Sequence, residues 1–389
     1  MRTGSVLQRD HKVAPGTRRR AIVVTIVAAL AALGVLLQPP RVAVQTLFLL
    51  PSMFPEPPVD PLAWLSAAPT REDLTFDYTA GVIQASVFHP AAPGRHGGIV
   101  LLLGIGDLPR SDLGVRFAAG LARTGVVVML PESTGLLAER LTFDEVDGLI
   151  RSYDVLLSQP DVDAARVGFI GLSAAGGLSI VAAAQPALRD RIRFVNSFGG
   201  YADATQLLLD VASRSIESDG QVQPWQPQQR TIEVVAIALV DVFADPTDRD
   251  LLRRAFIDHQ PVADDEWSAL SPDGQRLREL LAGTGRAQAR HDIRQLPAAA
   301  RQRLEEISPV AYLDQLRTHV YLMHDTDDSF IPYSESRRLA AEAPGVVQRY
   351  TEFSIFAHVV PDRPVPWQTF LPDVWRLYWH TAAVLREVL

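Results

Sequence analysis

Val167-Gly168-Phe169-Ile170-Gly171-Leu172-Ser173-Ala174-Ala175-Gly176-Gly177 is the stretch on which the reading of this chain turns. Val167–Gly171 is a short apolar run of the kind that forms a strand covered on both faces. Ala174–Gln185 then reads as a helix of small residues, stopped by Pro186. A serine at such a strand-to-helix turn projects its Oγ above the strand ends, and only small neighbours permit the tight backbone. The amides that open the helix face any negative charge developing beside that hydroxyl. The pattern G-x-S-x-[G/A] is weak alone, and a Gly-rich turn without chemistry is the competing reading. The surrounding chain must decide.

Working outward, the sequence alternates strand and helix. Leu74–Tyr78 and Ile83–Phe88 read as a hairpin around Gly81, and Gly98–Leu103 as a buried strand. Gly114–Thr124 follows as a helix, Val126–Leu130 as a strand and Phe143–Ser158 as a helix. Beyond the serine come the strand Phe194–Ser197 and, much later, the strand Val320–His324. The helix Ser336–Ala343, the strand Val347–Phe353 and a last helix around Val374–Leu385 complete the set. This rhythm predicts an α/β fold with a doubly wound, mostly parallel sheet. Between Tyr201 and Ser308 the rhythm is lost, and the segment is helix-like and rich in arginine and acids. It reads as an inserted helical cap, with Val234–Phe243 as its own core or as the lining of a pocket.

Three further elements could serve the serine. The first is His324-Asp325-Thr326-Asp327-Asp328-Ser329-Phe330-Ile331-Pro332, directly after a strand, where open α/β sheets place their sites. Its three aspartates compete to orient a histidine; helix capping, or a metal cluster with His324, are the alternatives. The second is His358, in the loop Phe356-Ala357-His358-Val359-Val360-Pro361 after the last strand. The order Ser…Asp…His is one of the three known for such triads. Its competitors are His324, within its strand, and His380, inside the terminal helix. The third is Leu103-Gly104-Ile105-Gly106-Asp107, a glycine-flanked turn that can offer a backbone amide to an oxyanion alongside the amide of Ala174.

Composition narrows the chemistry. The 389 residues contain no cysteine, which removes disulfides, thiolate nucleophiles and Cys-ligated metals. Lys12 is the single lysine, so a Schiff-base lysine or a Walker-type phosphate lysine is excluded beyond the N-terminus. A net charge of −8 argues against a nucleic-acid partner. The charge is uneven: residues 1–20 carry +5, leaving −13 for the remainder.

Directly after Arg18-Arg19-Arg20 comes Ala21–Leu37, an uncharged run with Thr25 as its one polar interruption. At 1.5 Å per residue it spans roughly 25 Å, enough for a somewhat thinned bilayer core. It is expected to be a transmembrane anchor, with a cleaved signal as the alternative. The arginines keep their end in the cytoplasm, placing the bulk of the chain outside, or secreted after cleavage. Val42–Phe54 is read either as lying on the membrane surface or as packing on the domain. The expected organisation is a basic segment 1–20, an anchor 21–37, a linker 38–71, a core first part 72–200, the cap 201–308 and a core second part 309–389.

Taken together, these residues resemble the α/β-hydrolase superfamily, in particular its dienelactone hydrolase-like and esterase-like branches. The resemblance runs from about residue 72 to the end, interrupted by the cap. It is carried by Gly171-Leu172-Ser173-Ala174-Ala175, by Ser308-Pro309-Val310-Ala311-Tyr312-Leu313, and by Asp328-Ser329-Phe330-Ile331-Pro332, which is similar to the family's D-x-x-V-P acid loop. The resemblance implies Ser173 as nucleophile, Asp328 rather than Asp325 or Asp327 as the acid, and His358 as the base. It places the oxyanion amides at Ile105 and Ala174. The family's His-Gly at the oxyanion strand is Leu103-Gly104 here, and the last elbow glycine is Ala175. Dienelactone hydrolases themselves use cysteine, so lactone specificity does not carry over. The implied activity is cleavage of an ester-type bond in a small acyl substrate through an acyl-enzyme, without metal or organic cofactor. A serine peptidase or acyltransferase with the same triad, and a silent membrane-tethered binding protein, are the alternatives.

Overall fold

The computed structural model describes residues 39–54, 60–106, 111–359 and 365–389. The expected membrane-spanning stretch Ala21–Leu37 lies outside the described residues, as does the basic segment before it. Among the described residues no helix is long and apolar enough to cross a membrane.

Helix α1 (Pro40–Leu49) starts on a proline at its first position and buries Val42, Ala43, Thr46 and Leu49. Those positions fall on one helical face, and that face packs on the core of the domain. The segment expected as a linker therefore contributes to the core. Strands β1 (Thr70–Tyr78) and β2 (Gly81–His89) form the antiparallel hairpin, with Tyr78 opposite Gly81. Then follow β3 (His96–Leu102), α2 (Asp112–Arg123), β4 (Val127–Ser133), α3 (Asp144–Leu157), β5 (Val162–Leu172), α4 (Ala174–Ala184) and β6 (Phe194–Phe198).

Between β6 and the next sheet strand lie α5 (Ala204–Ser213), a small hairpin of β7 (Ser215–Ser218) and β8 (Gln221–Pro224), and α6 (Gln229–Val240). Helices α7 (Pro246–Phe256), α8 (Pro272–Ala282), α9 (Arg286–Arg294) and α10 (Ala298–Glu306) complete this insertion. The chain then returns through β9 (His319–Asp325), α11 (Tyr333–Glu342), β10 (Val347–Phe353) and α12 (Trp367–Leu385).

The eight-stranded sheet runs β1-β2-β4-β3-β5-β6-β9-β10, parallel from β4 to β10 and antiparallel at β1–β2 and β2–β4. All seven residues of β3 and all five of β6 are buried, because helices cover both faces. Helices α1, α2 and α12 pack on one face; α3 and α4 pack on the other, where the inserted helices extend the same core. The direction of winding reverses between β3 and β5. That reversal opens a crevice at the carboxyl ends of the strands, where ligands of such sheets bind.

Candidate active site

Ser173 stands at the carboxyl end of β5, with φ 55° and ψ −136°, before α4 begins at Ala174. This is a sparsely populated conformation for a non-glycine residue, and strain of that kind gathers at functional sites. Small residues make room for it: a Cβ on Gly171 would lie 2.6 Å from the Ala175 carbonyl oxygen. The Ser173 amide donates to the Phe198 carbonyl at 2.7 Å, tying the turn to the end of β6. Across the crevice, Gly104 follows β3 with φ +94° and sits close enough that a Cβ there would approach Ser173 Cβ to 3.4 Å. Ile105 and Ala174 both border the same cavity as Ser173. Among the described residues neither of their amides donates to a protein acceptor.

Asp328 is buried, and its two oxygens divide the work. Oδ1 accepts from the amides of Phe330 at 2.8 Å and Ile331 at 3.0 Å. Oδ2 lies 2.6 Å from His358 Nδ1 and 3.3 Å from His324 Nε2. Burial alone would raise this carboxyl; the charge of His358 and the hydrogen bonds from both histidines outweigh it and hold the group at about 2. Asp328 is therefore ionised and can only accept, so His358 Nδ1 carries the proton and its Nε2 is left as a base. The ring is stacked on Phe330, centroids 4.7 Å apart and planes 22° from parallel.

The other candidates take distinct places. Asp327 is exposed. Asp325 is fully buried and accepts at Oδ2 from the amides of Phe356 at 2.7 Å and Ala357 at 3.1 Å. It thereby braces the loop that presents His358, in which Ala357 holds φ 60°. His324 Nε2 meets the Ile331 carbonyl at 2.9 Å as well as Asp328, and both are acceptors; its proton sits there, and Nδ1 accepts from Ser336 Oγ at 2.7 Å. His324 thus backs the acid instead of binding a metal with it. Among the described residues no three His, Asp or Glu side chains are grouped to hold a metal ion. His380 is buried elsewhere, between Asn196 Oδ1 at 2.7 Å and Thr351 Oγ1 at 2.9 Å, and burial lowers it to about 3.

Ser173 and His358 share one cavity of about 400 Å³, roofed by α6. Gly199, at the end of β6, links the two sides: a Cβ there would lie 3.4 Å from Asp328 Oδ2 and 3.5 Å from His358 Cε1. The acid and the histidine are joined directly. Among the described residues no hydrogen bond joins Ser173 Oγ to the ring, and such bonds often tighten only once substrate is bound. The insertion is stitched to the acid loop. Trp225 Nε1 donates to the Asp328 carbonyl at 2.9 Å, the Gln228 amide to the Ser329 carbonyl at 2.8 Å, and Thr231 Oγ1 to the Phe330 carbonyl at 3.0 Å.

No family model matches the chain, and no curated protein matches it. Among solved structures it is similar to a dipeptidyl aminopeptidase IV, described as putative, from Bacteroides ovatus, with TM-score 0.49 and 13% identity over 83% of this chain and 36% of that one. A 2,6-dihydroxy-pseudo-oxynicotine hydrolase is similar with TM-score 0.45 and 15% identity, covering 82% of this chain and 68% of that one. Acetyl xylan esterase 1 of a Thermoanaerobacterium species gives TM-score 0.42 and 13% identity, covering 80% and 84%. The chain spans about a third of the length of the first of these, 36%. Its own strand order, the strained serine between β5 and α4, and the acid and histidine on the loops after β9 and β10 are the architecture of the α/β-hydrolase fold.

Proposed function

We propose that this protein is a serine hydrolase that cleaves an ester-type bond through an acyl-enzyme. Ser173 is the nucleophile, His358 the general base and then acid, and Asp328 the group that fixes the imidazole. The observation that carries this reading is the imidazole of His358, held at Nδ1 by an ionised Asp328 and bordering the same cavity as the strained Ser173.

In the first half-reaction Ser173 Oγ attacks the carbonyl carbon while His358 Nε2 takes its proton. The carbonyl oxygen becomes an oxyanion facing the amides of Ile105 and Ala174; losing one such donor typically costs about 3 kcal/mol of barrier. The bond to the leaving oxygen then breaks, and His358 gives its proton to the departing alcohol. In the second half, His358 takes a proton from water, whose oxygen attacks the acyl carbon. Collapse breaks the bond to Oγ and returns the proton to Ser173. Asp328 stays charged throughout and stabilises the imidazolium formed in each half.

Turnover of p-nitrophenyl acetate tests the assignment. Ser173→Ala is expected to lose about 10⁶ in kcat, to the background rate. Turnover that survives in this variant would contradict it.

A further inference from the structure

We infer that the substrate is an ester bearing an uncharged, apolar chain of roughly six to ten carbons, not a peptide. The inference rests on the serine hydrolase reading and assigns the substrate class of that same cavity.

The wall of the cavity is built from Leu103, Leu207, Val234, Ala238, Leu239 and Leu304. Its polar side chains are turned to the protein. Tyr201 Oη donates to the Ile307 carbonyl at 3.0 Å, Thr231 Oγ1 to the Phe330 carbonyl at 3.0 Å, and Gln228 Nε2 to Ser329 Oγ at 3.0 Å. Arg230 is the one Asp, Glu, Lys or Arg among the described residues that line the cavity. It is half exposed at the mouth, and its guanidinium is paired with both Glu139 and Glu233. Among the described residues a free α-amino group would meet no unpaired carboxylate inside, and a carboxylate no unpaired guanidinium.

Among the described residues the polar side chains of Tyr201, Thr231 and Gln228 are already engaged, and this favours an acyl chain over a peptide. An extended peptide brings an amide N–H and a carbonyl with every residue. Each one buried without a partner weakens binding by roughly tenfold or more. A hydrocarbon chain makes no such demand, and each methylene leaving water strengthens binding about fourfold. The volume of about 400 Å³ has room for a chain of this length, at roughly 30 Å³ for a group the size of a water molecule.

The test compares p-nitrophenyl esters from acetate to decanoate, and alkyl acetates over the same range, in the full chain. In at least one series kcat/KM is expected to rise about three- to fourfold per methylene up to about eight carbons. The p-nitrophenyl ester of an N-acetylated dipeptide, of similar length and with the same leaving group, is expected to be at least a hundredfold poorer than the octanoate. Ala238→Trp, which fills the wall on α6, is expected to lower the octanoate-to-acetate ratio at least tenfold; Val234→Phe provides a second variant should the first not fold. A flat or falling profile in both series, or a dipeptide ester equal to the octanoate, overturns the inference while acetate turnover lost on Ser173→Ala still stands. Acetate turnover that is independent of Ser173 would instead overturn the underlying reading.

Discussion

The end of β9 and the acid loop after it hold Asp325 and Asp328 on backbone amides, whereas the cap, packed mainly on apolar residues, also buries charged side chains that are only partly satisfied. Asp325 accepts from three amides, those of Asp327, Phe356 and Ala357, and Asp328 from two, so both are fixed by chain geometry laid down by the sheet. In the cap, Asp210 is 1% exposed and bonds Arg286 Nη1 at 2.9 Å, while Arg286 Nε and Nη2 have no hydrogen-bond partner. Glu335, on α11 beneath the cap, takes the amides of Ala202 and Asp203 on Oε2, while its Oε1 has no hydrogen-bond partner and only a distant ion pair with Arg338 Nε at 4.0 Å. The difference separates two tasks. The sheet and its loops place the reacting groups, and the cap closes an apolar chamber over them, at the expense of charges that burial disfavours.

The largest expected effect breaks the acid loop. Asp328→Asn keeps the shape and removes the charge that holds the His358 tautomer, and kcat is expected to fall on the order of 10⁴-fold with the fold retained. Ester kinetics beside a thermal melt check both halves. The folded carboxyl sits at about 2, below its ordinary value, so its stabilising contribution is complete above about pH 4 and is lost as pH falls toward 2.

A second variant breaks the cap and is expected to act on stability. Asp210→Ala leaves the Arg286 guanidinium buried without its anion, which costs about 3–5 kcal/mol. Urea unfolding at pH 8, where Asp210 is charged, reads this directly. A loss below 1 kcal/mol would mean that the cap does not depend on the pair.

The smallest effect sharpens the comparison through pH. Burial pushes Glu335 up to about 8. Its folded value lies above its unfolded one, so the folded protein binds the proton more tightly between about pH 4.5 and pH 8, and stability falls as pH rises across that window. Glu335→Gln keeps an acceptor for the Ala202 and Asp203 amides and removes the titration. Tm of the variant, measured from pH 5 to pH 8, is expected to decline less than that of the wild type.

Much of this was legible in the sequence where the signal is local. Ser173 sits in a turn whose neighbours are small, and Gly98–Leu103 and Val167–Leu172 are continuous apolar runs, so the strand–helix rhythm pointed to the sheet. The choice between Asp325 and Asp328 was not legible from residue type or exposure. Both are buried, Asp325 at the end of β9 and Asp328 three residues on, and both accept backbone amides; what tertiary structure adds to Asp328 alone is the imidazole of His358. His324 and Phe330 escaped for the same reason, since their contacts with Asp328 and His358 depend on the folded loop. Two features do carry local signals. Asp219-Gly220 is a two-residue hairpin turn between β7 and β8, and the spacing of Val42, Ala43, Thr46 and Leu49 marks one buried helical face. The last helix starts at Trp367, earlier than its reading from Val374, and runs on through Pro372. Pro372 is the sixth residue of that helix, so it removes the one amide that would otherwise bond the Gln368 carbonyl, and the rest of the ladder continues past it.

Labelling with a fluorophosphonate, followed by mass mapping of the modified peptide, tests the central claim most directly. A single phosphonylated residue, Ser173, is expected, with the rate of labelling reduced at least a hundredfold in His358→Gln. Absence of labelling in the folded wild type, or a label on any other residue, would contradict it.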